Sequence, residues 1–349
     1  MNRLPIPLIL LSGFLGSGKT TLVMGLLHTE LFRRTALIVN EVGSVGIDQD
    51  VLRNSQAGEP VLLSGGCVCC ALGPDLGHTL RELYMRRLRG RVPEFDRVLI
   101  ETTGLADPRP IVHELVGDPW LAAHFRLSTV TTIVGALEAF ETLEANPEAV
   151  SQVACADRLI VSKCDLSRMG QIDGVAAQLA NLNPGAELSF TRKGPVPEEL
   201  AQSLSSSRRV TIDPLRMEGL AESAGNQHTP NRHNVTTACV TVADPIPWPR
   251  WALALDRAAW AGRRDLLRVK GILRVTDLAA PVLIQSVGAT YLPPTELPRW
   301  PSDNQASRVV LIMRGSGADR LRGLIFECLG GERPASLERI RKESEILNS

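Results

Sequence analysis

The segment 13–20 reads Gly-Phe-Leu-Gly-Ser-Gly-Lys-Thr and constrains the fold of this chain more than any other feature. It follows a short apolar run at residues 8–11 and opens a helical pattern at residues 19–28, which is the context that a phosphate loop requires. Glycines let the chain turn tightly, so that backbone N–H groups can surround phosphate oxygens. We expect Lys19 to reach the β- and γ-phosphates and the Thr20 hydroxyl to ligate Mg²⁺. The residues predicted to bind the phosphates are Gly13, Gly16, Ser17, Gly18, Lys19 and Thr20.

Short apolar runs alternate with helical patterns through the first half of the chain. One helix is expected to begin with Pro74 at its first position, because Leu76, Leu80, Leu83 and Leu88 then keep one face apolar. Strands that alternate with helices predict an α/β fold, a P-loop NTPase domain with a mainly parallel sheet and helices on both faces. Such folds bind ligands outside the carboxyl ends of their strands. The predicted strands are residues 8–11, 36–40, 61–63, 98–100, 130–134 and 159–161.

The length of 349 residues predicts about two domains. The alternating pattern fades after residue 190, and residues 203–209 and 221–234 are polar without apolar periodicity. We therefore predict a P-loop nucleotide-binding domain at residues 1–190 and a linker or mobile loops at residues 191–234. A small α+β domain is predicted at residues 235–349. Its expected strands are residues 235–242, 266–275, 282–289 and 308–313, and its expected helices are residues 248–261 and 318–329.

Acidic residues lie where two of the predicted strands end. Glu101 follows the run at residues 98–100, and a carboxylate at such a strand tip can hold Mg²⁺ or its water near the γ-phosphate. Residues 40–43 (Asn-Glu-Val-Gly) and Asp48 belong to another strand-end loop, which suits a segment that responds to the γ-phosphate. The predicted catalytic residues are Lys19, Thr20, Asp48 and Glu101.

The loop Ser162-Lys163-Cys164-Asp165 follows a predicted strand at the place where P-loop GTPases bind the base. A carboxylate there accepts hydrogen bonds from the ring N–H and the exocyclic amine of guanine, and adenine lacks the matching donors. The stem of Lys163 is expected to pack along the base. Lys163 and Asp165 are therefore the predicted base-binding residues.

Three of the seven cysteines fall within four residues, at Cys67, Cys69 and Cys70. They follow two glycines just past the predicted strand 61–63, so we expect them at the same sheet edge as the phosphate loop. A closed structural zinc site needs four ligands. Three thiolates leave the fourth position to Glu41, a water, a histidine or a side chain of a client protein. Soft thiolates favour zinc or copper(I), and an incomplete shell suits a metal that must leave again.

Composition limits the partners that this chain is expected to have. Acidic and basic residues are equal in number, 38 of each, which gives no electrostatic reason to expect nucleic acid or an anionic membrane. No apolar stretch approaches the length of a membrane helix, and the N-terminal apolar run lacks the small-residue cleavage site of a signal peptide. An odd number of sparse cysteines is unlike a disulfide scaffold. We therefore expect a cytoplasmic protein with reduced thiols.

Taken together, these motifs resemble the CobW-type P-loop GTPases, relatives of the nickel chaperones for urease and hydrogenase. The resemblance also covers residues 267–273 in the second predicted domain and so spans nearly the whole chain. It implies GTP binding, slow hydrolysis and delivery of a transition metal, commonly zinc, to client proteins. It also implies that Thr21 belongs to the nucleotide site. The matching segments are 13–21, 40–43, 46–48, 65–70, 101–108 and 162–166.

Three places depart from the family pattern. Ser162 stands where such proteins usually have Asn, and Gly135 replaces an Asp that is often seen after its strand. In the loop after residue 40, Val42 replaces Phe and Ser44 replaces a common Glu. Nucleotide preference and metal affinity are the properties that these departures can change.

The resulting hypothesis is a metal-coupled GTPase. GTP and Mg²⁺ order the segments near Glu41 and Asp48, and the cysteine loop then holds Zn²⁺. Hydrolysis of GTP releases the Zn²⁺ to a client metalloprotein. Co²⁺ and Ni²⁺ are alternative metals. No arginine finger is evident in the sequence, so a partner or a second protomer of a homodimer is expected to supply one. Two alternatives remain: an ATP-dependent P-loop enzyme, and a non-catalytic metal or redox sensor that binds nucleotide only as a ligand.

Overall fold

The computed structural model divides the chain into two units, Met1–Val210 and Thr211–Ser349. It describes residues 4–39, 61–62, 68–71, 75–206 and 235–330. Each unit is built on one β-sheet. Within these described ranges, no helix combines the length and the hydrophobicity needed to cross a lipid bilayer.

The sheet of the first unit has eight strands in the order β3-β4-β2-β5-β1-β6-β7-β8. All neighbouring pairs are parallel except β3 and β4, which are antiparallel. The predicted α/β class is therefore confirmed. The strands are β1 (Ile6–Gly13), β2 (Thr35–Val39), β3 (Val61–Leu62), β4 (Val68–Ala71), β5 (Arg97–Glu101), β6 (Phe125–Gly135), β7 (Arg158–Ser162) and β8 (Glu187–Phe190).

Helices cover both faces of this sheet. Leu22 and Leu26 of the first helix pack with Ile9 and Leu11 on one face, while the alternate residues of β1 are buried on the other. Successive side chains of a strand point to opposite faces, so a strand that is buried almost throughout needs cover on both faces. The helices are α1 (Lys19–Leu27), α2 (Leu76–Leu88), α3 (Pro108–Gly117), α4 (Pro119–His124), α5 (Ala139–Ala145), α6 (Pro147–Cys155), α7 (Met169–Leu182) and α8 (Glu198–Ser205).

Helix α2 begins two residues later than the position of Pro74 predicted. Asp75 is its N-cap, and its carboxylate accepts hydrogen bonds from the backbone N–H groups of Gly77 at 2.8 Å and His78 at 3.3 Å. A side-chain cap of this kind satisfies N–H groups that have no partner inside the helix. Pro74 itself lies outside the described residues. The capping carboxylate, and not the proline, marks the start of this helix.

The first unit extends beyond residue 190, where the linker was predicted to begin. Helix α8 packs Leu200, Ala201 and Leu204 against the face of the sheet that α1 covers. Val196 also approaches α1, because a Cβ built on Gly25 would lie 2.6 Å from its methyl group. The prediction of an unstructured linker is therefore wrong for this helix. The helix was missed because it is short and follows a segment rich in proline and charge.

The second unit contains a sheet in the order β12-β11-β10-β14-β9, with β13 paired to β11. All of its strand pairs are antiparallel. Trp251, on the first of the two helices, is fully buried in the core that the sheet and helices share. Gly262 at the end of the same helix allows the second helix to approach, since a Cβ there would lie 2.9 Å from Leu321. Its elements are β9 (Val235–Val242), α9 (Trp248–Gly262), β10 (Leu266–Leu273), β11 (Val282–Val287), β12 (Thr290–Tyr291), β13 (Thr295–Glu296), β14 (Ser307–Arg314) and α10 (Ala318–Leu329).

Candidate functional site

The loop between β1 and α1 has the shape of a phosphate cradle. Gly13 has φ of 144° and Gly18, the N-cap of α1, has φ of 93°, both in the region that favours glycine. A Cβ on Gly13 would lie 2.4 Å from the carbonyl oxygen of Ile133, so no larger residue fits without displacing the loop. The helix that follows directs its free N–H groups and its positive dipole end toward this loop. The loop can therefore bind an anion through its backbone.

Lys19 lies in the first turn of α1, folded over its own loop. Its ammonium group donates to the carbonyl oxygens of Gly13 at 2.8 Å and Phe14 at 3.0 Å, and only 9% of the residue is exposed. The same ammonium group is within reach of phosphates that occupy the cradle. Thr21, by contrast, has an exposed side chain on the outer side of the helix.

Thr20 and Glu101 meet at the end of the central strands. The Thr20 hydroxyl donates to a carboxylate oxygen of Glu101 at 2.8 Å, although the two residues are 81 positions apart. Strand pairing places Glu101 level with Leu11, just before the phosphate loop, and the glutamate is only 5% exposed. A hydroxyl and a carboxylate are the hard oxygen ligands that Mg²⁺ prefers. Beside the glycine cradle, this pair fits a magnesium ion that accompanies phosphates.

The segment after Glu101 is held against the phosphate loop. A Cβ on Gly104 would lie 2.4 Å from the side chain of Leu15, so the two loops are in close contact. Gln152 of α6, which is fully buried, donates from its amide nitrogen to the carbonyl oxygens of Gly104 and Ala106, both at 3.0 Å. The motifs did not identify Gln152, because nothing in its own neighbourhood distinguishes it from an ordinary helix residue.

The base loop is connected to the phosphate loop by Ser162, one of the departures from the family pattern. The Ser162 hydroxyl donates to the backbone carbonyl of Ser17 at 2.5 Å, across 145 positions of sequence. Asp165 is exposed, and its carboxylate accepts a hydrogen bond from the backbone N–H of Lys193 at 3.1 Å. The structure thus brings the base loop and the phosphate loop together at one sheet edge. Lys193 is a further residue that the motifs did not identify.

The cysteine segment lies in a different place from the one predicted. Cys69 and Cys70 are inside strand β4, opposite Leu37 and Ile38 of β2, and not in a loop beyond a strand. Strand β4 is separated from β1 by β2 and β5, which corresponds to about 14 Å at the usual strand spacing. The strand was missed because the glycines before it break the apolar pattern.

Several predicted metal and switch residues lie outside the described residues. They are Glu41, Asp48 and Cys67, together with the departures at positions 42 and 44. Among the residues that the structure describes, no group of three or more His, Cys, Asp or Glu side chains is arranged to hold a metal ion. The proposed ligand set therefore remains a prediction.

The cysteines described elsewhere in the chain are free thiols. Cys155, Cys164 and Cys239 are buried, and Cys328 is half-buried. Burial raises the pKa of the Cys164 and Cys239 thiols, which disfavours the thiolate that metal binding requires. These residues fill space, and Cys164 does so within the base loop.

Two family models match the chain in the order of its two units. The CobW/HypB/UreG nucleotide-binding domain matches residues 7–190, and the cobalamin synthesis protein cobW C-terminal domain matches residues 235–329. The chain belongs to the CobW/HypB/UreG family. Its membership confirms the resemblance that the motifs indicated, and the P-loop GTPase fold is the fold of this family.

Relatives of this CobW-family chain include two proteins of Escherichia coli K12. The zinc chaperone YjiA is 28% identical over 311 residues, which cover 88% of this chain and 94% of the relative. The zinc chaperone YeiR is 32% identical over 288 residues, covering 77% and 83%. The crystal structure of Zn(II)-bound YjiA GTPase from E. coli superposes with a TM-score of 0.73 at 26% identity and covers 94% of this chain and 99% of that one.

Proposed function

We propose that this chain is a GTP-hydrolysing zinc chaperone that delivers Zn²⁺ to client metalloproteins. One observation carries the proposal. In a member of the CobW/HypB/UreG family, a glycine cradle, the Thr20–Glu101 pair and a base loop bonded to the cradle occupy one sheet edge. Its relatives are named zinc chaperones, which supports zinc as the metal delivered.

The phosphate chemistry is assigned to the residues of the cradle. Lys19, which now donates to two loop carbonyls, would donate to β- and γ-phosphate oxygens instead, and Thr20 and Glu101 would hold Mg²⁺. When bound, Mg²⁺ neutralises charge on the phosphate oxygens of GTP. Gly13, Gly16, Ser17, Gly18 and Thr21 contribute the backbone that surrounds the phosphates. Asp48 is assigned to the loop that responds to the γ-phosphate, and a partner or a second protomer is expected to provide a further cation.

Base selection is assigned to Asp165. Its carboxylate is positioned by the backbone N–H of Lys193 and has a further oxygen for the donors of guanine. Adenine presents an acceptor where guanine presents a ring N–H, so ATP would offer no matching donor to the second oxygen of the carboxylate. An ATP-dependent enzyme is the second candidate, since Ser162 replaces the usual Asn. The 2.5 Å hydrogen bond from the Ser162 hydroxyl to the Ser17 carbonyl favours an intact base loop, and so favours GTP.

Metal binding is assigned to Cys67, Cys69 and Cys70, with Glu41 as the fourth ligand. Zinc is the proposed cargo, and Co²⁺ or Ni²⁺ are alternatives that soft and borderline ligands also accept. Three thiolates and one exchangeable ligand allow the ion to pass to a client. The cytoplasm, where thiols stay reduced, is the proposed location.

The mechanism requires that nucleotide and metal affect each other. If GTP tightens zinc binding by a given factor, zinc must tighten GTP binding by the same factor. Equal zinc affinity in the nucleotide-free, GDP-bound and GTP-analogue-bound protein would contradict the chaperone cycle. Zinc binding that persists when all three cysteines are changed to serine would move the site elsewhere, with His228 and His233 as the next residues to test.

The nucleotide activity is tested by Mg²⁺-dependent phosphate release from GTP and from ATP in the full-length chain. We expect GTP to be the preferred substrate, release to be lost in Lys19→Ala, and the guanine preference to be lost in Asp165→Asn. Release that survives Lys19→Ala would exclude the proposed site. Hydrolysis that is absent under all conditions, with nucleotide still bound, would favour the non-catalytic sensor.

A further inference from the structure

Lys163 has a backbone conformation that residues other than glycine rarely adopt. Its φ is 59°, in the left-handed region, directly after the end of β7. The stem of the side chain lies over Gly135, because a Cβ on that glycine would be 3.6 Å from Cδ and 3.7 Å from Cε of the lysine. The conformation is unfavourable by itself, so contacts around Lys163 must maintain it.

The Lys163 carbonyl accepts hydrogen bonds from the N–H of Leu166 and the hydroxyl of Ser167. Glu138 holds the far end of the lysine side chain. Its two carboxylate oxygens both accept hydrogen bonds from the ammonium group of Lys163, each at 3.0 Å. The carboxylate is half exposed and the lysine side chain is 28% exposed, so the pair borders solvent. Glu138 precedes α5 and lies outside the family motifs that the sequence contains.

Gly135 makes room for this pair. A Cβ on Gly135 would lie 3.0 Å from a carboxylate oxygen of Glu138, closer than most real Cβ contacts. Gly135 is also level with Ser162 in the pairing of β6 and β7, and the N–H of Ala136 donates to the Ser162 carbonyl at 2.9 Å. The absence of a side chain at position 135 and the ion pair at position 138 therefore belong to one local arrangement.

We propose that Glu138 is a positioning residue for base binding: it holds the ammonium group of Lys163 so that the lysine stem forms a fixed platform for the purine ring. This inference rests on the proposed function, in which the stem packs along the base. Gly135 permits the arrangement by leaving space for the carboxylate. The nucleotide then binds to a lysine that is already ordered, so binding does not lose free energy to the ordering of this side chain.

The proposed role of the ion pair concerns the base and not the phosphates, so the test compares a ligand that has a base with one that lacks it. Affinity for a non-hydrolysable GTP analogue and for inorganic triphosphate is measured in the full-length protein with Mg²⁺. The variants are Glu138→Gln, Glu138→Ala and Gly135→Ala, and Glu141→Gln makes the same chemical change on the exposed side of α5. Loss of a pre-ordered long side chain should weaken analogue binding roughly three- to tenfold. Triphosphate affinity, kcat for GTP and thermal stability should stay as in the parent, with KM raised.

A double variant tests whether the two positions act together. Gly135→Ala should weaken analogue binding through the displaced carboxylate, and it should add nothing once Glu138 is alanine. An unchanged analogue affinity in Glu138→Ala, or an equal loss for triphosphate, would overturn the role of Glu138. If the parent itself binds the analogue no better than triphosphate, base recognition is absent and the proposed function falls first. If the parent binds the analogue more tightly than triphosphate and the variants do so to the same degree, only the role of Glu138 is wrong.

Discussion

The phosphate half of the nucleotide site is held by buried strands, whereas the base half extends from two strand ends, at Gly135 and Ser162, onto an exposed loop that carries Asp165. Glu101 belongs to a strand paired with β1 and is almost fully buried, and its partner Thr20 begins the helix that follows β1. Asp165 is exposed and is positioned by one backbone N–H from another loop. The phosphate half is thus anchored directly to the buried strands of the sheet. The exposed part of the base half, which includes Asp165, can change by substitution without disturbing the sheet.

The difference accounts for two of the three departures from the family pattern, whereas the third, at positions 42 and 44, lies outside the described residues. Ser162 and Gly135 both lie at the base half, while every residue from Gly13 to Thr20 follows the phosphate-loop pattern. At the strand end of the base half, the residue that departs from the pattern makes a polar contact of its own, because the Ser162 hydroxyl donates to the backbone carbonyl of Ser17. A side chain at Gly13 of the cradle, by contrast, would meet the backbone carbonyl of Ile133, which cannot move aside.

Removal of the Thr20 hydroxyl should have the largest effect, because it acts on the phosphate half. We expect Thr20→Ala to lower Mg²⁺-dependent phosphate release from GTP by about 10²-fold, since a fixed ligand beside the developing charge is lost. Thr20→Ser keeps the hydroxyl and should stay within a few-fold of the parent. The measurement is the initial rate as a function of Mg²⁺ concentration. Equal rates for the alanine and serine variants would show that the hydroxyl does not hold the ion.

A pair of glutamines allows the two halves to be compared with the same substitution. Gln152 donates to two carbonyls beside the phosphate loop, and Gln171 donates to the carbonyls of Ala136 and Leu137 beside the base loop. Gln152→Leu should lower the free energy of unfolding by about 1–3 kcal/mol, because its carbonyl partners are in a buried setting. It should also lower kcat about tenfold through the displaced segment after Glu101.

Gln171→Leu is the matched control for that change. Water can reach the Leu137 carbonyl that it releases, so the loss of stability should be smaller and kcat should not change. Denaturant unfolding and steady-state kinetics measure both effects. A larger loss in Gln171→Leu than in Gln152→Leu would reverse the proposed order of the two halves.

Removal of the Ser162 hydroxyl should have the smallest effect. Ser162→Ala deletes one hydrogen bond to the Ser17 carbonyl, which is worth about 1 kcal/mol and corresponds to roughly fivefold weaker GTP-analogue binding. Ser162→Asn restores a donor and the residue usual in the family, so it should bind at least as well as the alanine variant. Analogue titration gives both values. If Ser162→Ala weakened analogue binding by as large a factor as Thr20→Ala lowers the rate of phosphate release, the base half would not be the more tolerant one.

Local patterns allowed much of the fold to be predicted. The elements from Val235 to Val242 and from Ala318 to Leu329 have the predicted bounds, because their apolar periodicity is clear. The phosphate loop, Glu101 and the base loop were found because each follows a strand in a known order. Strand β4 and helix α8 were missed, since both are short and glycine or proline interrupts the pattern beside them.

Contacts between distant residues could not be predicted in the same way. The bonds from Thr20 to Glu101 and from Ser162 to Ser17 span 81 and 145 positions, and only the parallel order of the strands brings them together. Gln152 and Glu138 have no motif of their own. Their partners are backbone carbonyls or a lysine on another element, so their role becomes visible only in three dimensions.

Helix α8 has a consequence for how this family is divided into parts. The nucleotide-binding family model ends at residue 190, yet Leu200, Ala201 and Leu204 complete the core that α1 and the central strands form. The stretch recognisable across relatives is thus shorter than the stretch that folds as a unit. A recombinant fragment cut at residue 190 would expose apolar surface and tend to aggregate, whereas one ending after residue 206 would keep its natural cover.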